Sequence, residues 1–182
     1  MRCLLTCALV LIPSLGYGQG GSPAPPATAV DIKKPDIDAA VKIGMAALAP
    51  GNVSVSDRNI TLSDSGAYNV AVAFVTRPAT KVPSGRALSH DKITEIYYIV
   101  SGRGTQVTGT LVDGKQETGS TTIGPGWSSE SPIRNGRTTT LGPGEMQIIP
   151  PGTGHVWTEI SDGGIVYMTI RIDPEHVTAL SK

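Results

Sequence analysis

The sequence is poor in the residues from which disulfides, metal sites and charged surfaces are built. It has 2 cysteines and 3 histidines in 182 residues, and charged side chains make up 16% of it. Both cysteines, Cys3 and Cys7, lie close to the N-terminus, so the remainder of the chain has no thiol for a disulfide, a nucleophile or a soft metal site. Basic and acidic side chains number 15 each. Because no basic field is available for a phosphate backbone, we expect no nucleic-acid partner.

Glycine and proline, in contrast, are abundant. The chain has 22 glycines and 14 prolines, with 39% apolar residues. This composition favours short strands joined by turns over long charged helices. A length of 182 residues suits one domain with a buried core better than two. The sequence therefore predicts one all-β domain rather than a helical bundle.

The N-terminal residues are typical of an export signal. Arg2 precedes an apolar run at residues 3–12, and Gly16 and Gly18 have the small-residue spacing that a signal peptidase recognises. We therefore predict a signal peptide at 1–18 and a secreted or periplasmic protein. The apolar run of about ten residues is too short to cross a bilayer, which needs roughly 20, so no membrane partner is expected.

A tether and a helix are predicted to follow the signal. Residues 19–34 include the run SPAPPATA, which is typical of a flexible linker. The domain itself is expected at 35–182. It begins with apolar residues at helical spacing over 35–48, which predict a short helix with Asp36 as its cap.

From about residue 52 the apolar pattern changes to the period of two that is typical of strands. The β-branched and aromatic runs that predict strands lie at 68–76, 95–100, 106–112, 146–149, 156–160 and 165–172. The polar segment 118–142 predicts a lid or a decorated hairpin, and 174–180 predicts a short final helix. We expect these strands to form an antiparallel sandwich or barrel.

Two motifs stand out within the strand-rich region. Residues 144–155 read GEMQIIPPGTGH, and residues 90–102 read HDKITEIYYIVSG. They resemble the two motifs of the cupin superfamily, which here span 88–102 and 144–159 in the family's order. The resemblance implies a single-domain jelly-roll barrel, preceded in this chain by the short N-terminal helix.

Three side chains of these motifs are predicted to converge inside the barrel. A strand that ends in Pro-x-Gly turns sharply, which directs His155 inward, while His90 and Glu95 are expected on a hairpin whose turn is 91–94. Two neutral imidazoles and one carboxylate form a facial triad that leaves positions open on a metal ion. The family usually has a second histidine two residues before His90, where this sequence has Leu88. The alternative is that both histidines are core or pocket residues of a metal-free protein that binds a ligand.

The predicted cofactor is one divalent transition metal per chain, bound by His90, Glu95 and His155. Copper is preferred because it wins most nitrogen sites in the Irving–Williams order, whereas reduced iron is hard to keep outside the cytoplasm. Fe(II), manganese and zinc are the alternatives.

Alternation along the strands predicts the catalytic groups. Counting by two from Glu95 and from His155 places Tyr97, Trp157 and Glu159 on the same side as the ligands. Glu95, Tyr97 and Glu159 are therefore the candidate catalytic residues. Glu159, or Glu95 if it does not bind metal, is the candidate general base, because an apolar barrel disfavours the charged form of a carboxylate.

The same reasoning predicts the substrate-binding residues. Tyr97 and Trp157 are expected to form a stacking wall for a sugar or aromatic ring, with core packing as the alternative. Gln147, on the facing strand, and Trp127, in the polar segment, are the other candidates. Arg171 is expected to bind either a substrate carboxylate or an edge or dimer partner.

The fold leaves several reactions open, since cupins include oxygenases, lyases, isomerases and binding proteins. Export and an incomplete histidine set resemble the small copper-dependent cupins that cleave polysaccharides oxidatively. The resemblance implies a secreted mononuclear copper or iron oxidoreductase that uses oxygen or peroxide on a polysaccharide such as cellulose. The alternatives are a non-redox metal-dependent lyase or isomerase of a sugar or small acid, and a sugar-binding or small-molecule-binding cupin without catalysis. A homodimer is expected because exposed edge strands invite pairing.

Overall fold

The computed structural model describes residues 28–48, 55–118 and 121–181, in which one helix and eleven strands follow one another along the chain. The predicted signal at 1–18 and most of the predicted tether lie outside the described residues. The elements are α1 (Lys34–Ala47), β1 (Ser56–Asp64), β2 (Asn69–Arg77), β3 (Ala87–His90), β4 (Thr94–Ser101), β5 (Gly104–Thr110), β6 (Lys115–Glu117), β7 (Gly126–Ser129), β8 (Arg134–Leu141), β9 (Met146–Ile149), β10 (Gly154–Ile160) and β11 (Ile165–Asp173).

The strands form two antiparallel sheets. The first sheet has the order β1-β2-β11-β4-β9, and the second has the order β6-β7-β3-β10-β5-β8. When the outer strands β1, β6 and β7 are set aside, each sheet has four strands. Nearly every connection between these eight strands crosses from one sheet to the other. This is the double Greek-key pattern of a jelly roll. The predicted all-β jelly-roll fold is confirmed.

The strands that the sequence did not predict are polar. β8 reads RNGRTTTL and is exposed at most of its positions, and β7 is a four-residue strand. Both belong to the second sheet, where β8 pairs with β5 and β7 pairs with β3. The described part of the predicted segment, 121–142, is therefore neither a lid nor a hairpin, because its two strands pair with different neighbours. In the edge strand β8, Thr139 and Leu141 face inward while Thr138 and Thr140 are exposed, and such a strand needs few apolar residues because only one of its faces is covered.

The C-terminal residues also differ from the prediction. The expected helix at 174–180 is not formed. Instead, the backbone N–H and the hydroxyl of Thr178 both donate to Asp173 Oδ2 at 2.7 Å. A carboxylate that satisfies these donors replaces the hydrogen bonds of a helical turn. The segment then runs back to β1, where Ser181 N donates to Asn59 O at 3.1 Å.

The helix α1 lies on the outer face of the first sheet, within one residue of its predicted bounds. Ala40 packs with Phe74 and Val166 in a small buried cluster. The residue before the helix is Lys33, which makes no side-chain cap hydrogen bond, while Asp36 lies in the first turn. The carboxylate of Asp36 therefore interacts favourably with the positive, N-terminal end of the helix dipole. It does not cap the helix as predicted.

The space between the sheets is filled mainly by large apolar and aromatic side chains. The principal core cluster consists of Val75, Tyr97, Ile99, Leu141, Ile149, Trp157, Ile160, Ile165 and Tyr167. Toward one end, polar and charged side chains replace them. Across the described residues, α1 is the only α-helix, and no helix has the length and apolar character needed to cross a membrane.

Candidate metal centre

The connection between β3 and β4 brings two predicted ligands together from opposite sheets. His90 ends β3 in the second sheet, and Glu95 lies near the start of β4 in the first. The predicted hairpin between these strands is wrong, because β3 pairs with β7 and β10 while β4 pairs with β11 and β9. Residues 91–93 instead cross between the sheets, and Ile93 is buried within the crossing. The crossing lets both side chains enter the interior facing each other.

The turn before β10 brings in the third ligand. Gly152 has a φ of 74°, in the left-handed region that glycine favours. Thr153 N donates to Pro150 O at 3.2 Å, and Gly152 N donates to His90 O at 2.7 Å. The turn of the second motif is therefore hydrogen-bonded directly to the start of the first motif. As a result the rings of His90 and His155 lie with their centroids 5.2 Å apart.

The three predicted ligands form one buried cluster. Glu95 Oε2 lies 3.4 Å from His90 Nε2 and 3.8 Å from His155 Nε2. All three candidate ligand atoms lie within 4.8 Å of one another, and the residues are only 7%, 2% and 5% exposed in chain order. Atoms at these separations are close enough for small side-chain shifts to bring them onto one ion at bonds of about 2.0–2.2 Å.

The hydrogen bonds of the cluster favour the ligating forms of its side chains. His155 Nδ1 lies 3.1 Å from Thr153 O, so a proton on Nδ1 leaves the Nε2 lone pair directed at Glu95. Burial, followed by the neighbouring His90, lowers the pKa of His155 to about 4. Burial alone would raise the pKa of Glu95, but His90, Arg171 and His155 outweigh it and hold that pKa well below its usual range. At neutral pH the site therefore has a neutral imidazole at His155 and a carboxylate at Glu95, as metal binding requires.

Arg171 holds Glu95 in place from behind. Its guanidinium is 1% exposed and donates from Nε to Glu95 Oε1 at 3.0 Å, from Nη1 to Asn59 Oδ1 at 2.6 Å and from Nη2 to Asp57 Oδ2 at 2.6 Å. Sequence reasoning expected Arg171 to bind a substrate carboxylate or an edge or dimer partner. Its partners are instead groups of the same chain, Glu95 inside the barrel and Asp57 and Asn59 on the edge strand β1. Asp57 and Asn59 were missed, since they lie on the polar strand β1, more than 110 residues earlier in the chain.

Leu88 lies at the position where the sequence resemblance implies a further histidine. It is the Cα partner of His155 across β3 and β10, and residues paired in this way place their side chains on the same face of the sheet. Leu88 therefore presents a partly buried apolar side chain beside the cluster. Position 88 therefore supplies no fourth ligand to the cluster of His90, Glu95 and His155.

Tyr97 connects the cluster to the aromatic core. Its hydroxyl donates to Glu95 Oε2 at 2.9 Å, and its ring packs against Tyr167 and Trp157 at centroid distances of 4.5 and 6.5 Å. Burial, and then the charge of Glu95, raises the pKa of Tyr97 well above its usual value, so the phenol keeps its proton. Tyr97 and Trp157 lie inside, as alternation predicts, but as packed core rings.

Glu159 lies on the surface, so the expectation that it faces the site is wrong. The Cα partner of Trp157 is Gln106, whereas that of Glu159 is Thr105, and the register shifts between the two pairs. This bulge inserts an extra residue and reverses the side of the strand on which Glu159 lies. Its side chain is 54% exposed and forms an ion pair with Lys81 at 3.1 Å.

The two remaining predicted binding residues have different positions. Trp127 pairs with Ser89, which neighbours His90 and therefore faces the opposite side of the sheet. Trp127 is 40% exposed on that outer face, so the structure does not bring it to the cluster. Gln147 pairs with Tyr97 and is half-buried on the inner face of β9.

The comparisons with known proteins give weak similarities. The chain matches no family model, and no curated protein sequence is similar to it. Among solved structures it is similar to the DMSP lyase DddQ from Ruegeria pomeroyi (20% identity, 56% of this chain and 37% of that chain, TM-score 0.34). It is similar to KdgF from Halomonas sp. (14% identity, 68% of this chain and 82% of that chain, TM-score 0.40). It is also similar to an uncharacterised double-stranded β-helix protein from Klebsiella pneumoniae (15% identity, 75% of this chain and 92% of that chain, TM-score 0.44).

The chain spans little more than a third of the length of the Ruegeria lyase. The identities are 20% or less and the TM-scores are 0.44 or less. Because similarities this weak carry no argument about function, the function is judged from the chain's own site. That site, at the level of the described residues, is a buried cluster of His90, Glu95 and His155 that could hold one metal ion.

Proposed function

We propose that the protein is a metal-dependent enzyme that catalyses a non-redox elimination or isomerisation of a sugar or small acid. His90, Glu95 and His155 would hold one divalent transition metal. The observation that carries this proposal is the position of Glu95. Its Oε2 faces both histidines, while its Oε1 accepts a hydrogen bond from Arg171.

The shared carboxylate favours Lewis-acid chemistry. The guanidinium of Arg171, bound to Glu95 Oε1, draws negative charge away from Oε2, the oxygen that faces the two histidines. Glu95 would therefore neutralise less of the positive charge of a bound metal. A divalent metal held there would polarise a carbonyl or hydroxyl oxygen of a substrate. Arg171 would set the strength of that effect through its contact with Glu95 at 3.0 Å.

Tyr97 is the residue that we propose handles a proton. Its Oη donates to Glu95 Oε2 at 2.9 Å, so its proton lies beside the inner carboxylate oxygen. Because the phenol stays protonated, it would exchange its hydrogen bond to Glu95 Oε2 for one to a substrate oxygen rather than act as a base. Glu159, the base expected from alternation, lies on the surface with Lys81 and takes no part.

The burial of the site favours a small substrate over a polymer. The three ligands are 7% exposed or less, and a polysaccharide chain could not bring a glycosidic bond to an ion in the barrel interior. Tyr97, an easily oxidised phenol, is hydrogen-bonded to one of the ligands, a position that suits a redox-inactive metal better than a redox-active one. Both features favour lyase or isomerase chemistry over the oxidative cleavage of cellulose that the sequence resemblance implies.

A second candidate is a protein that binds a small molecule without catalysis. Leu88 favours it, because an apolar side chain beside His155 weakens the metal site relative to a full set of four ligands. In this case the polar interior would bind a sugar or a similar molecule with no reaction.

Export and dimer formation are further parts of the proposal. Both rest on the sequence alone. Sequencing the N-terminus of the purified protein tests for cleavage after residue 18, and light scattering over a concentration series tests for a dimer.

The experiment that tests the proposed function compares two glutamates. Wild-type protein, Glu95→Gln and Glu159→Gln are each loaded with copper, iron, manganese or zinc, and bound metal is measured. Proton NMR then follows D-glucose, D-mannose, D-glucuronate and malate for isomerised or eliminated products, while an electrode records oxygen consumption with ascorbate and cellulose. Glu159→Gln removes a carboxylate outside the site, so it is the matched control.

We expect wild type and Glu159→Gln to bind one metal and to convert at least one small substrate without consuming oxygen, and Glu95→Gln to do neither. Failure of every metal to bind the wild-type protein, or equal behaviour of the two variants, would contradict the proposal. Oxygen consumption with oxidised cellulose ends that vanish in Glu95→Gln would establish the redox enzyme instead.

A further inference from the structure

A groove on the outer face of the second sheet lies on the far side of β3 from the metal cluster. Its volume is about 340 Å³, within the range of about 300–1,000 Å³ that small-molecule sites have. Its lining includes Asp91, Thr110, Leu111, Gly114, Trp127 and Gly152. It is called the Trp127 groove below.

The groove and the metal cluster use opposite faces of the same strand. Ser89 and His90 are consecutive residues of β3, so their side chains point to opposite sides of the sheet. His90 belongs to the buried cluster, whereas Ser89 is the Cα partner of Trp127 and lines the groove. The backbone of this wall is held in place, because Asp91 N donates to Pro125 O at 3.0 Å. A molecule in the groove would therefore be separated from the metal centre by the strand itself.

The indole of Trp127 is the main apolar surface of the groove. It is 40% exposed, whereas the other tryptophan, Trp157, is 2% exposed in the core. A solvent-facing strand position does not need an aromatic ring, as Thr138 and Thr140 show on β8 of the same sheet. An indole left in water forgoes a large gain from burial. The exposed ring therefore favours a contact with a molecule from outside the chain.

Two glycines leave space around the indole. A Cβ at Gly114 would lie 3.4 Å from Trp127 Cε3 and 3.4 Å from Leu111 Cδ2, in ordinary van der Waals contact. A side chain longer than a methyl group at this position would therefore fill the groove beside the ring. No atom lies within 4 Å of the place where a Cβ of Gly152 would be, so the groove is also open at that point.

Polar groups accompany this apolar surface. Asp91 supplies a carboxylate, and Ser89 and Thr110 supply hydroxyls. A pyranose ring has an apolar C–H face and hydroxyl groups around its edge. An aromatic ring complements the face, while a carboxylate and hydroxyls complement the edge. Among the described residues that line the groove, Asp91 alone is charged, and its negative charge disfavours an anionic ligand.

We propose that the Trp127 groove binds a neutral carbohydrate chain, with one pyranose ring stacked on the indole of Trp127 and its hydroxyl groups hydrogen-bonded to Asp91 and Thr110. The groove lies at the surface, so a sugar within a longer chain fits there, whereas the buried metal centre excludes a polymer. The site would hold the protein on a polysaccharide while the metal centre acts on small molecules. This inference goes beyond the proposed function and does not depend on it.

The test is isothermal titration calorimetry on the protein without added metal. The neutral probes are cellopentaose, xylopentaose and mannopentaose. Trigalacturonate is the anionic comparison, and tetramethylammonium is a cation that an aromatic ring and a carboxylate could also bind. The variants are Trp127→Ala, Asp91→Asn and Gly114→Leu. Tyr98→Ala is the matched control, since Tyr98 is an aromatic residue that is 38% exposed on the outer face of the other sheet.

We expect at least one neutral oligosaccharide to bind at one site per chain, with an affinity at least tenfold higher than that of trigalacturonate. Trp127→Ala should weaken this binding at least tenfold because it removes the stacking surface, and Asp91→Asn should weaken it about threefold. Tyr98→Ala should bind as the wild type does. Gly114→Leu keeps the indole and fills the groove, so it should also weaken binding at least tenfold and provides the test if Trp127→Ala does not fold.

Several results would overturn the inference. These are the absence of binding by all three neutral oligosaccharides, equal losses in Trp127→Ala and Tyr98→Ala, or binding of tetramethylammonium without any sugar. Zinc loading of the same samples separates the two proposals. Sugar binding that requires zinc or survives Trp127→Ala would place the sugar in the barrel and contradict the groove. Sugar binding that Trp127→Ala removes, in a protein that binds no metal, would support the groove and contradict only the proposed enzyme.

Discussion

Two neighbouring levels of the barrel interior differ in how their polar groups are satisfied. At the level of Glu95 and Arg171, each charge has a partner of opposite sign: Arg171 contacts Glu95 and Asp57 at 3.0 and 2.6 Å. At the next level, the amide of Gln106 has no partner among the described residues. The first level is held in one geometry by the protein itself, which suits metal ligands that must be positioned in advance. The second leaves the buried carboxamide of Gln106 without a hydrogen-bond partner among the described residues.

The largest expected effect comes from breaking the paired level. Arg171→Met should lower the free energy of unfolding by about 3–5 kcal/mol, because Glu95 and Asp57 are left without their buried counter-charge. Urea denaturation followed by circular dichroism measures the change. Arg137→Met, at an exposed position of β8, is the control and should change stability by less than about 0.5 kcal/mol. Equal stability of the two variants would show that Arg171 does not secure Glu95.

A smaller effect is expected at the contact between the two levels. Tyr97→Phe removes the hydrogen bond to Glu95 Oε2 and should weaken metal binding by about 10–100-fold, as the loss of an outer-shell partner typically does. Competition with a chromogenic chelator measures the affinity. Tyr98→Phe, one residue along on the outer face, should bind as the wild type does. A similar loss in both variants would argue against a specific role for the Tyr97 hydroxyl.

The apolar neighbour of the cluster offers a gain of function. Leu88→His would place a further imidazole beside His155 and should tighten metal binding by on the order of tenfold, or about 1.4 kcal/mol. The same chelator competition applies, with Leu88→Met as the apolar control. If Leu88→His binds no tighter than Leu88→Met while remaining folded, then position 88 does not point at the metal.

The smallest effect is expected where the strand bulge removes a carboxylate from the interior. Glu159→Gln loses only a surface ion pair with Lys81, which is worth about 0–1 kcal/mol. Thermal unfolding and metal affinity should both match the wild type within error. A clear loss of metal affinity would mean that Glu159 acts at the site despite its position.

Several features of the fold and of the candidate metal centre could be predicted from the sequence. The strands with β-branched and aromatic residues, such as β4 and β11, were predictable because their inner faces need apolar side chains. The convergence of His90, Glu95 and His155 was predicted from the two motifs and from the Pro-x-Gly turn before His155, although the hairpin expected for His90 and Glu95 is a crossing between the sheets. These features are local, since each depends on a few consecutive residues.

The missed features depend on contacts between distant strands or on irregular backbone. The partners of Arg171 come from β1, which has little apolar pattern of its own. The bulge that turns Glu159 outward is invisible to a count by two. Gln106 was within a predicted strand, yet its significance appears only when its missing partners are known.

Metal binding by the buried cluster is the central claim, and one titration tests it most directly. Wild-type protein, His155→Ala and His176→Ala are titrated with Zn²⁺ against a chelator of known affinity. His176 is exposed and outside the cluster. We predict one tightly bound metal per chain in the wild type and in His176→Ala, and none in His155→Ala. No binding by the wild type, or unchanged binding by His155→Ala, would contradict the account.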